Sequence, residues 1–434
     1  MYHIHMKRVT LAFFLLVSSV HASHAAAAWT MESYRAEVLR VSHEVKSASE
    51  AAEIARGRYV SDLAAFWLPA VVVGASVSPY SAYNSPRLRF NESDITAGVT
   101  ARLNLFNNFK DKLDLDSSRA SSKAGESRLW QERQQAAMTA MRTYYGVLRK
   151  RRLLEVVRNS LASYQTQYDK VKRYYQDGMK SYSDLLKSEL SLRSTQLSEA
   201  SAAEDYANSL MDLNLSVYLP PETAAELTDE VSGSTAAVTD SGDVAYALAH
   251  RPELKVYRLE LDKAANSSRR AFLDRFPDFS ADAYYDRRGL GSWGRPAPGT
   301  VNPNYYLMLS LSLPLGPGSF SEKQAGLEAD TARLRAARAL ADAELQVRRE
   351  VLSARLSLAT AIKKYEVSAL KAGISRQNLE IVNARYAEGR AGIIDMGEAQ
   401  NDDLQAQSEL ANALYDLLLA RAAYDKAAGR QLWQ

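Results

Sequence analysis

The chain reads Arg173-Tyr174-Tyr175-Gln176-Asp177-Gly178 and then Ser181-Tyr182-Ser183-Asp184-Leu185-Leu186, and it later repeats this pattern. The second copy reads Arg385-Tyr386-Ala387-Glu388-Gly389 and then Gly392-Ile393-Ile394-Asp395-Met396. Gly178 and Gly389 are 211 residues apart, and so are Asp184 and Asp395. Each copy lies between two long stretches of helical character, which predicts a helix–turn–helix tip. The chain is therefore predicted to contain two copies of one elongated unit, with both tips at the same end.

The composition favours long helices and gives no indication of catalysis. Ala, Leu, Ser, Gln, Arg, Glu and Asp predominate, and the 20 Gly and 12 Pro residues are clustered. The 54 basic and 51 acidic residues nearly balance, so no basic face indicates nucleic acid. Cysteine is absent, which excludes disulfides and a thiol-linked lipid anchor. Beyond the first residues only His43 and His250 remain, too few for a His-rich metal site. We predict no catalytic, cofactor or metal site.

The N-terminus has the three parts of a secretory signal peptide. Lys7-Arg8 precedes an apolar run from Val9 to Val17, and small residues follow up to Ala28. We assign residues 1–27 to the signal peptide; the alternative is a buried N-terminal helix. No later apolar run approaches the ~20 residues that span a bilayer. Any contact with a membrane must therefore come from strands.

Four segments alternate with the period of two that is typical of strands: 71–78, 95–105, 279–286 and 305–313. They form two predicted hairpins, 67–106 and 277–315, with loops rich in Gly, Pro, Asn and Ser at 81–92 and 287–303. Pro69 and Pro277 precede the hairpins and are 208 residues apart, so the repeat extends over each half.

One face of these strands is apolar, which fits a soluble sandwich or a membrane barrel. Four strands cannot close a barrel, and unpaired sheet edges in lipid cost several kcal/mol per group, so a membrane barrel requires several chains. If the face contacts lipid, the residues that do so are Val71, Val73, Val77, Val99, Leu103, Leu307, Leu309 and Leu311.

The predicted helices complete each repeat. The first repeat, 28–218, contains helices 31–66, 107–174 and 180–217, and the second, 244–430, contains helices 244–276, 320–386 and 393–429. In each repeat one helix of ~100 Å matches two shorter helices laid end to end. A heptad-like seam in the second long helix contains Leu327, Leu334, Ala341, Leu345, Leu352 and Ala359. Residues 219–243 are predicted to link the repeats at mid-rod, and 431–434 form a C-terminal tail.

This order of helix, hairpin, long helix, Gly tip and helix, made twice behind a signal peptide, resembles the TolC-type outer-membrane efflux proteins. The resemblance covers essentially the whole mature chain. It is carried by the two tips, by Arg251-Pro252-Glu253-Leu254 at the start of the second half, and by Leu309-Ser310-Leu311-Ser312-Leu313-Pro314-Leu315 at the last strand.

The resemblance implies a mainly α fold with a small β part. Three chains would share a 12-stranded transmembrane β-barrel, four strands from each, above a long α-helical barrel. It further implies a passive duct of a tripartite efflux or type I secretion system in the outer membrane of a Gram-negative cell, extending into the periplasm. The partners implied are a periplasmic adaptor, an inner-membrane RND or ABC transporter and outer-membrane lipid. The competing interpretation is a soluble periplasmic helical-hairpin adaptor or scaffold.

The resemblance also implies a gate at the periplasmic tips. Asp184 matches a family aspartate that accepts a hydrogen bond from the second tip, and Tyr386 matches the tyrosine that donates this bond. Asp395 and Glu398 match acidic residues that form rings around the closed aperture. The family's arginine is replaced by Ala391, with Arg390 beside it as a possible substitute.

Each of these residues also has an ordinary interpretation. Asp395 and Glu398 could be acids that favour a helix start, and Tyr386 could be a core residue. The residues predicted to form the tips, where an adaptor docks, are Gly178, Ser181, Gly389 and Gly392.

Overall fold

The computed structural model describes residues 27–78, 94–229, 242–292, 295–296, 303–313 and 317–433. Residues 1–26 of the predicted signal peptide, the whole predicted loop 81–92, residues 293–294 and 297–302 of the second predicted loop, and the centre of the predicted linker lie outside the described residues. Among the helices in the described ranges, none is both long and apolar enough to cross a membrane.

The two repeats are confirmed, and the fold is mainly α with a small β part. The elements of the first repeat are β1 (Ala27–Trp29), α1 (Met31–Val41), α2 (His43–Trp67), β2 (Ala70–Ser78), β3 (Asp94–Asn107), α3 (Lys110–Gln176) and α4 (Tyr182–Ser216). After them come β4 (Ala225–Leu227), α5 (Asp243–His250), α6 (Pro252–Leu273), β5 (Asp278–Ser292), β6 (Arg295–Pro296), β7 (Pro303–Ser312), α7 (Pro317–Ala387) and α8 (Ile393–Ala427).

The prediction of one helix at the start of each repeat is wrong, because the chain forms two helices there, α1 and α2 in the first repeat and α5 and α6 in the second. Ser42 separates α1 from α2, and its hydroxyl accepts from the amide of Val45 at 3.4 Å as an N-cap. Arg251 separates α5 from α6 in an extended conformation, which the following Pro252 imposes on it. Ser42 and Arg251 are 209 residues apart, so the break belongs to the repeat.

Other predicted boundaries move by a few residues. The helix predicted from residue 107 begins at Lys110, because Asn108 and Phe109 have left-handed φ values of 54° and 62° and end β3. Part of the loop predicted at 287–303 is strand, since β5 continues to Ser292 and pairs with β6.

The described parts of the predicted linker and tail, 219–229, 242–243 and 431–433, pack against the rest of the chain. Residues 219–243 include β4, which pairs in parallel with β1, so Ala27 at the end of the predicted signal peptide faces Ala225. In the tail, Leu432 is buried against α3 and α8, and its carbonyl accepts from Arg35. Leu227 and Leu432, in the described parts of these two segments, are therefore part of the hydrophobic core of the rod.

The long helix α3 contacts α2 and α4 of its own repeat, as predicted, and it also contacts α6 and α8 of the second repeat. Near the sheet it packs against α2 and α6, and Asn266 of α6 donates to the Ser117 hydroxyl at 3.3 Å. Near the tips it packs against α4 and α8, and Gln400 of α8 donates to the Ser163 hydroxyl at 3.0 Å. Gly125 allows a close approach of α3 to α2, since a Cβ there would lie 3.2 Å from the Cα of Ala52. The helices thus form the row α2–α3–α6–α7 below the sheet and the row α4–α3–α8–α7 at the tips.

Candidate functional site: the helical tips and the sheet faces

Both tips are built by the same C-terminal cap. Gly178 and Gly389 have φ values of 71° and 75°, which an L side chain rarely adopts. In the first tip the amide of Met179 donates to the Tyr174 carbonyl at 2.8 Å. The matching bond in the second tip joins Arg390 to the Arg385 carbonyl at 2.8 Å. These are the bonds of a Schellman motif, so each glycine ends a helix and lies in the turn of a helix–turn–helix tip, as the repeat pattern predicts.

The helices after the tips begin with a second shared cap. The amide of Asp184 donates to the Ser181 hydroxyl at 3.1 Å, and the Asp184 carboxylate accepts from the Ser181 amide at 3.3 Å. In the other tip the Asp395 carboxylate accepts from the Gly392 amide at 2.9 Å. Both aspartates therefore serve as helix-start acids, which is the ordinary interpretation of Asp395. Asp395 is exposed, whereas Asp184 is half-buried.

Tyr386 is the buried centre of the tip region. It is only 5% exposed and packs with Val171 of α3 and Met396 of α8, which brings the two repeats together. The ammonium nitrogen of Lys180 lies 4.9 Å from its ring centroid. Burial raises the pKa of the Tyr386 phenol, and the negative charge of Asp184 raises it further.

The hydrogen bond expected between Tyr386 and Asp184 is not formed in this single chain. Within the described ranges the Tyr386 hydroxyl has no hydrogen-bond partner, although it is buried. Arg390 instead pairs with the neighbouring Glu388 at 3.2 Å and is exposed, so it does not contact Asp184. Glu398 is exposed one helical turn after Asp395.

A polar cavity of about 550 Å³ lies beside Tyr386, between α3 and α7. Gln167 lines it, is 6% exposed, and has a side-chain oxygen without a partner among the described residues. Lys170 and Asn383 add further polar groups to its wall. Sequence reasoning missed Gln167, because nothing distinguishes it from the other glutamines of this 67-residue helix until its neighbours in the fold are known.

The strand register confirms that the predicted apolar residues share one face. Residues paired across antiparallel strands point to the same side of a sheet. Val73 pairs with Val99, and Leu103 pairs with Ala283, which in turn pairs with Leu307. The same alternation places Val71, Leu309 and Leu311 on this side. The backbone of Val77 also fits it, while its side chain lies outside the described residues.

This apolar face is largely uncovered in the single chain. Leu309 is 62% exposed, and Val71, Val73, Leu307 and Leu311 are similarly exposed. Val99 and Leu103, in the more central strand β3, are half-buried.

The opposite face is polar and contains an ion pair that sequence reasoning missed. Arg102 of β3 contacts the carboxylate of Asp282 of β5 at 3.2 Å, and Asp282 is 3% exposed. The Arg102 guanidinium also lies 5.5 Å from the ring centroid of Tyr284, which stacks on Tyr306 at 4.9 Å. Both charges lie on the polar side of their strands, but only the register brings them together across 180 residues of sequence.

The sheet is open at both sides. Its long strands run in the order β2–β3–β5–β7, so β2 and β7 are edge strands within the described residues. In the same ranges no group of His, Cys, Asp or Glu side chains is arranged to hold a metal ion.

A duplicated helical rod with an open, one-sidedly apolar sheet is the fold of the outer-membrane channel subunits. The outer membrane protein VceC of Vibrio cholerae matches with a TM-score of 0.77 and 17% identity, over 93% of this chain and 96% of that one. The CmeC outer membrane channel of Campylobacter jejuni matches with a TM-score of 0.74 and 18% identity, over 92% and 85%. The MtrE outer membrane channel of Neisseria gonorrhoeae, in its open state, matches with a TM-score of 0.74 and 16% identity, over 93% of this chain and 89% of that one.

The chain belongs to the outer membrane efflux protein family, whose model matches residues 31–217 and 244–430. These ranges are the two repeats. The outer membrane of a Gram-negative cell is accordingly its location. No curated protein sequence matches the chain.

Proposed function

We propose that three copies of this chain form a passive, non-enzymatic exit duct of a tripartite efflux or type I secretion system. The duct crosses the outer membrane through a shared β-barrel and continues into the periplasm as a helical barrel. One observation carries the proposal: an open sheet whose exposed side is apolar and whose other side is polar. A soluble adaptor would bury that apolar side in its own sandwich, but here Leu309 and its neighbours are uncovered.

The open edges support sharing of the sheet between chains. β2 has nine residues and β7 has ten, and their outer backbone groups have no strand to bond in the described chain. In lipid each such group costs several kcal/mol. Pairing β7 of one copy with β2 of the next satisfies them, and three copies close a barrel of about 12 strands. The polar face with Arg102 and Asp282 then lines the water-filled interior.

The helical part supports the same assembly. At the tips, α4 and α7 are the two ends of the helix row, and each has large apolar residues that its own chain does not cover. Leu190 of α4 is 71% exposed and Leu370 of α7 is 69% exposed. The predicted seam on α7 is likewise uncovered at Leu327, Leu334 and Leu345. Packing α4 of one copy on α7 of the next would bury the apolar residues near the tips.

The tips form the gate in this proposal. In the closed trimer the Tyr386 hydroxyl donates to Asp184, which gives a partner to a buried hydroxyl that has none among the described residues. Three copies of Asp395 and Glu398 at the mouth concentrate negative potential, attract cations and repel one another. Arg390 takes the role of the family arginine that Ala391 replaces, once its ion pair with Glu388 is broken.

A periplasmic adaptor is the proposed docking partner at the tips, which contain Gly178, Ser181, Gly389 and Gly392. Apolar side chains are exposed there at Met179, Tyr182 and Ile394. Exposed apolar groups clustered at one end of the helical rod, away from the sheet, are typical of a protein-binding surface. The adaptor in turn connects the duct to an RND or ABC transporter in the inner membrane.

Membrane fractionation tests the duct. We expect the full-length chain in the detergent-extracted outer membrane as a trimer that shifts to the monomer position in gels only after heating. The purified trimer should form pores in a planar bilayer. A water-soluble monomer that forms no pores would contradict the proposal.

Single-channel recording tests the gate, with a matched control for the cap. Asp184→Ala should raise the conductance of the closed channel, because it removes the acceptor for Tyr386. Ser181→Ala removes the capping hydroxyl at the same helix start but keeps the carboxylate, and it should leave the closed conductance unchanged. An equal rise in both variants would mean that fraying of the helix start, and not loss of the Tyr386–Asp184 hydrogen bond, opens the tip. If Asp184→Ala does not raise the closed conductance, the Tyr386–Asp184 hydrogen bond does not hold the tip closed.

A further inference from the structure

A cavity of about 650 Å³ lies where α3, α6 and α7 meet, directly below the sheet. Its wall combines apolar and cationic side chains. The apolar ones are Phe109, Leu113, Phe272 and Leu273. The charged ones are four cations, Lys112, Arg269, Arg275 and Arg333, and two acids, Asp116 and Asp330. The cavity therefore has an excess of positive charge.

An aromatic cluster connects the cavity wall to the apolar side of the sheet. Phe106 pairs in register with Ala281 and lies on the apolar face, with its ring centroid 5.8 Å from that of Phe279. Phe109 follows directly, 5.2 Å from Phe106, and is itself part of the cavity wall. A continuous aromatic path thus leads from the apolar face to the cations.

The four cations have no acidic partner in the part of the chain that the structure describes. Within the described ranges none of them has a carboxylate oxygen within the 4.0 Å that defines an ion pair. Nearby cations outside the cavity behave differently, since Lys110 bonds Asp274 at 2.7 Å and Arg270 pairs with Asp114. Of the two acids in the wall, Asp330 accepts from the Ser268 hydroxyl. An anion entering the cavity would relieve the mutual repulsion of these cations.

Gly326 gives one of the cations its position. A Cβ at this residue of α7 would lie 2.8 Å from Cζ of Arg275, so any other residue would displace the guanidinium. The guanidinium therefore occupies the space that a side chain at residue 326 would take. Arginine presents a planar fork of donors that matches the oxygens of a phosphate.

We infer that this cavity binds the headgroup phosphate of an anionic phospholipid in the periplasmic leaflet of the outer membrane. The cations contact the phosphate, and Phe109 and Phe272 lie at the level where aromatic rings favour the membrane interface. The inference rests on the proposed function, because only a membrane-inserted sheet brings a leaflet to this height. A site between three helices of one chain would occur three times in the trimer.

Native mass spectrometry of the full-length trimer in detergent, titrated with phosphatidylglycerol, tests the site. The double variant Arg269→Gln with Arg275→Gln should bind this lipid about 30-fold more weakly, since each cation near an anionic surface contributes roughly fivefold. Gly326→Ala retains every charge but moves the Arg275 guanidinium, and it should weaken binding by about fivefold. Because alanine favours a helix, this variant should fold even if the double variant does not.

The control is Arg152→Gln with Lys363→Gln, which removes two exposed cations elsewhere on the rod and should leave lipid binding unchanged. The inference is overturned if the wild-type trimer binds phosphatidylcholine as well as phosphatidylglycerol, or if inorganic phosphate at millimolar concentration displaces the lipid. It is also overturned if both test variants bind like the wild type. A wild-type chain that forms no outer-membrane trimer would instead contradict the proposed function.

Discussion

Replacing Leu309 with arginine tests whether the apolar face contacts lipid. Leu309 lies about 5 Å from the middle of β7, at roughly 3.3 Å per residue, and is 62% exposed in the single chain. An arginine on the lipid face near the bilayer midplane destabilises a barrel by about 2–4 kcal/mol. With three copies in one barrel the cost reaches roughly 6–12 kcal/mol, comparable with the whole stability of a folded domain. We therefore expect Leu309→Arg to abolish insertion.

Ser310→Arg is the matched control. Ser310 is the next residue and pairs with Ser280 on the polar face, which lines the interior in the proposed barrel. Lumen-facing charges alter selectivity rather than insertion, so this variant should assemble normally. Both variants are expressed at the same level, and the amount of heat-modifiable trimer in the outer-membrane fraction is measured.

Equal trimer yields for the two variants would contradict the assignment of the faces. Loss of the Ser310→Arg trimer with retention of the Leu309→Arg trimer would reverse it. In either case the proposed orientation of the sheet in the membrane is wrong.

Three further expectations concern the tips and the mid-rod. Asp395→Asn with Glu398→Gln should weaken divalent-cation block of the single-channel current by about tenfold. If the block is unchanged, these two acids do not form the ring that binds the cation. Gly389→Ala should cost about 1–2 kcal/mol at a φ of 75° and raise leak through the closed channel, whereas an unchanged leak would mean that the cap does not hold the tip. Burial alone would raise the pKa of Glu350, but hydrogen bonds from Arg251 and Gln346 lower it overall. The resulting stabilisation is present above the ordinary pKa of 4.5 and is lost as the pH falls below it. Thermal unfolding should therefore lose stability below about pH 4.5, and less so in Glu350→Gln; identical pH profiles would exclude this pair as a cause.

Local rules explain which features were predictable. Gly178 and Gly389 adopt positive φ as predicted, because a helix that ends in a tight turn needs a residue without Cβ there. The strands were predictable because alternation places Leu307, Leu309 and Leu311 on one side whatever their neighbours. The break at Arg251 was missed although Pro252 signals it. The break at Ser42 has no proline and is marked only by a capping serine.

The candidate gate was predictable only in part. Asp184 and Asp395 were identified by position, and their capping bonds follow from their place in the first helical turn. The burial of Tyr386 against Val171 and Met396 depends on how the two repeats dock, which no local pattern encodes.

From its residues alone this chain is committed to two copies of a helix, hairpin and helix unit, since periodicity, capping and turn chemistry act over a few neighbouring residues. The folded arrangement added what depends on distant residues meeting. It joined Arg102 to Asp282 across 180 residues, packed α3 of the first repeat against α6 and α8 of the second, and left the sheet edges and the outer helices α4 and α7 uncovered. Pairing of this kind depends on register and helix order, which the chain acquires only when its apolar surfaces pack.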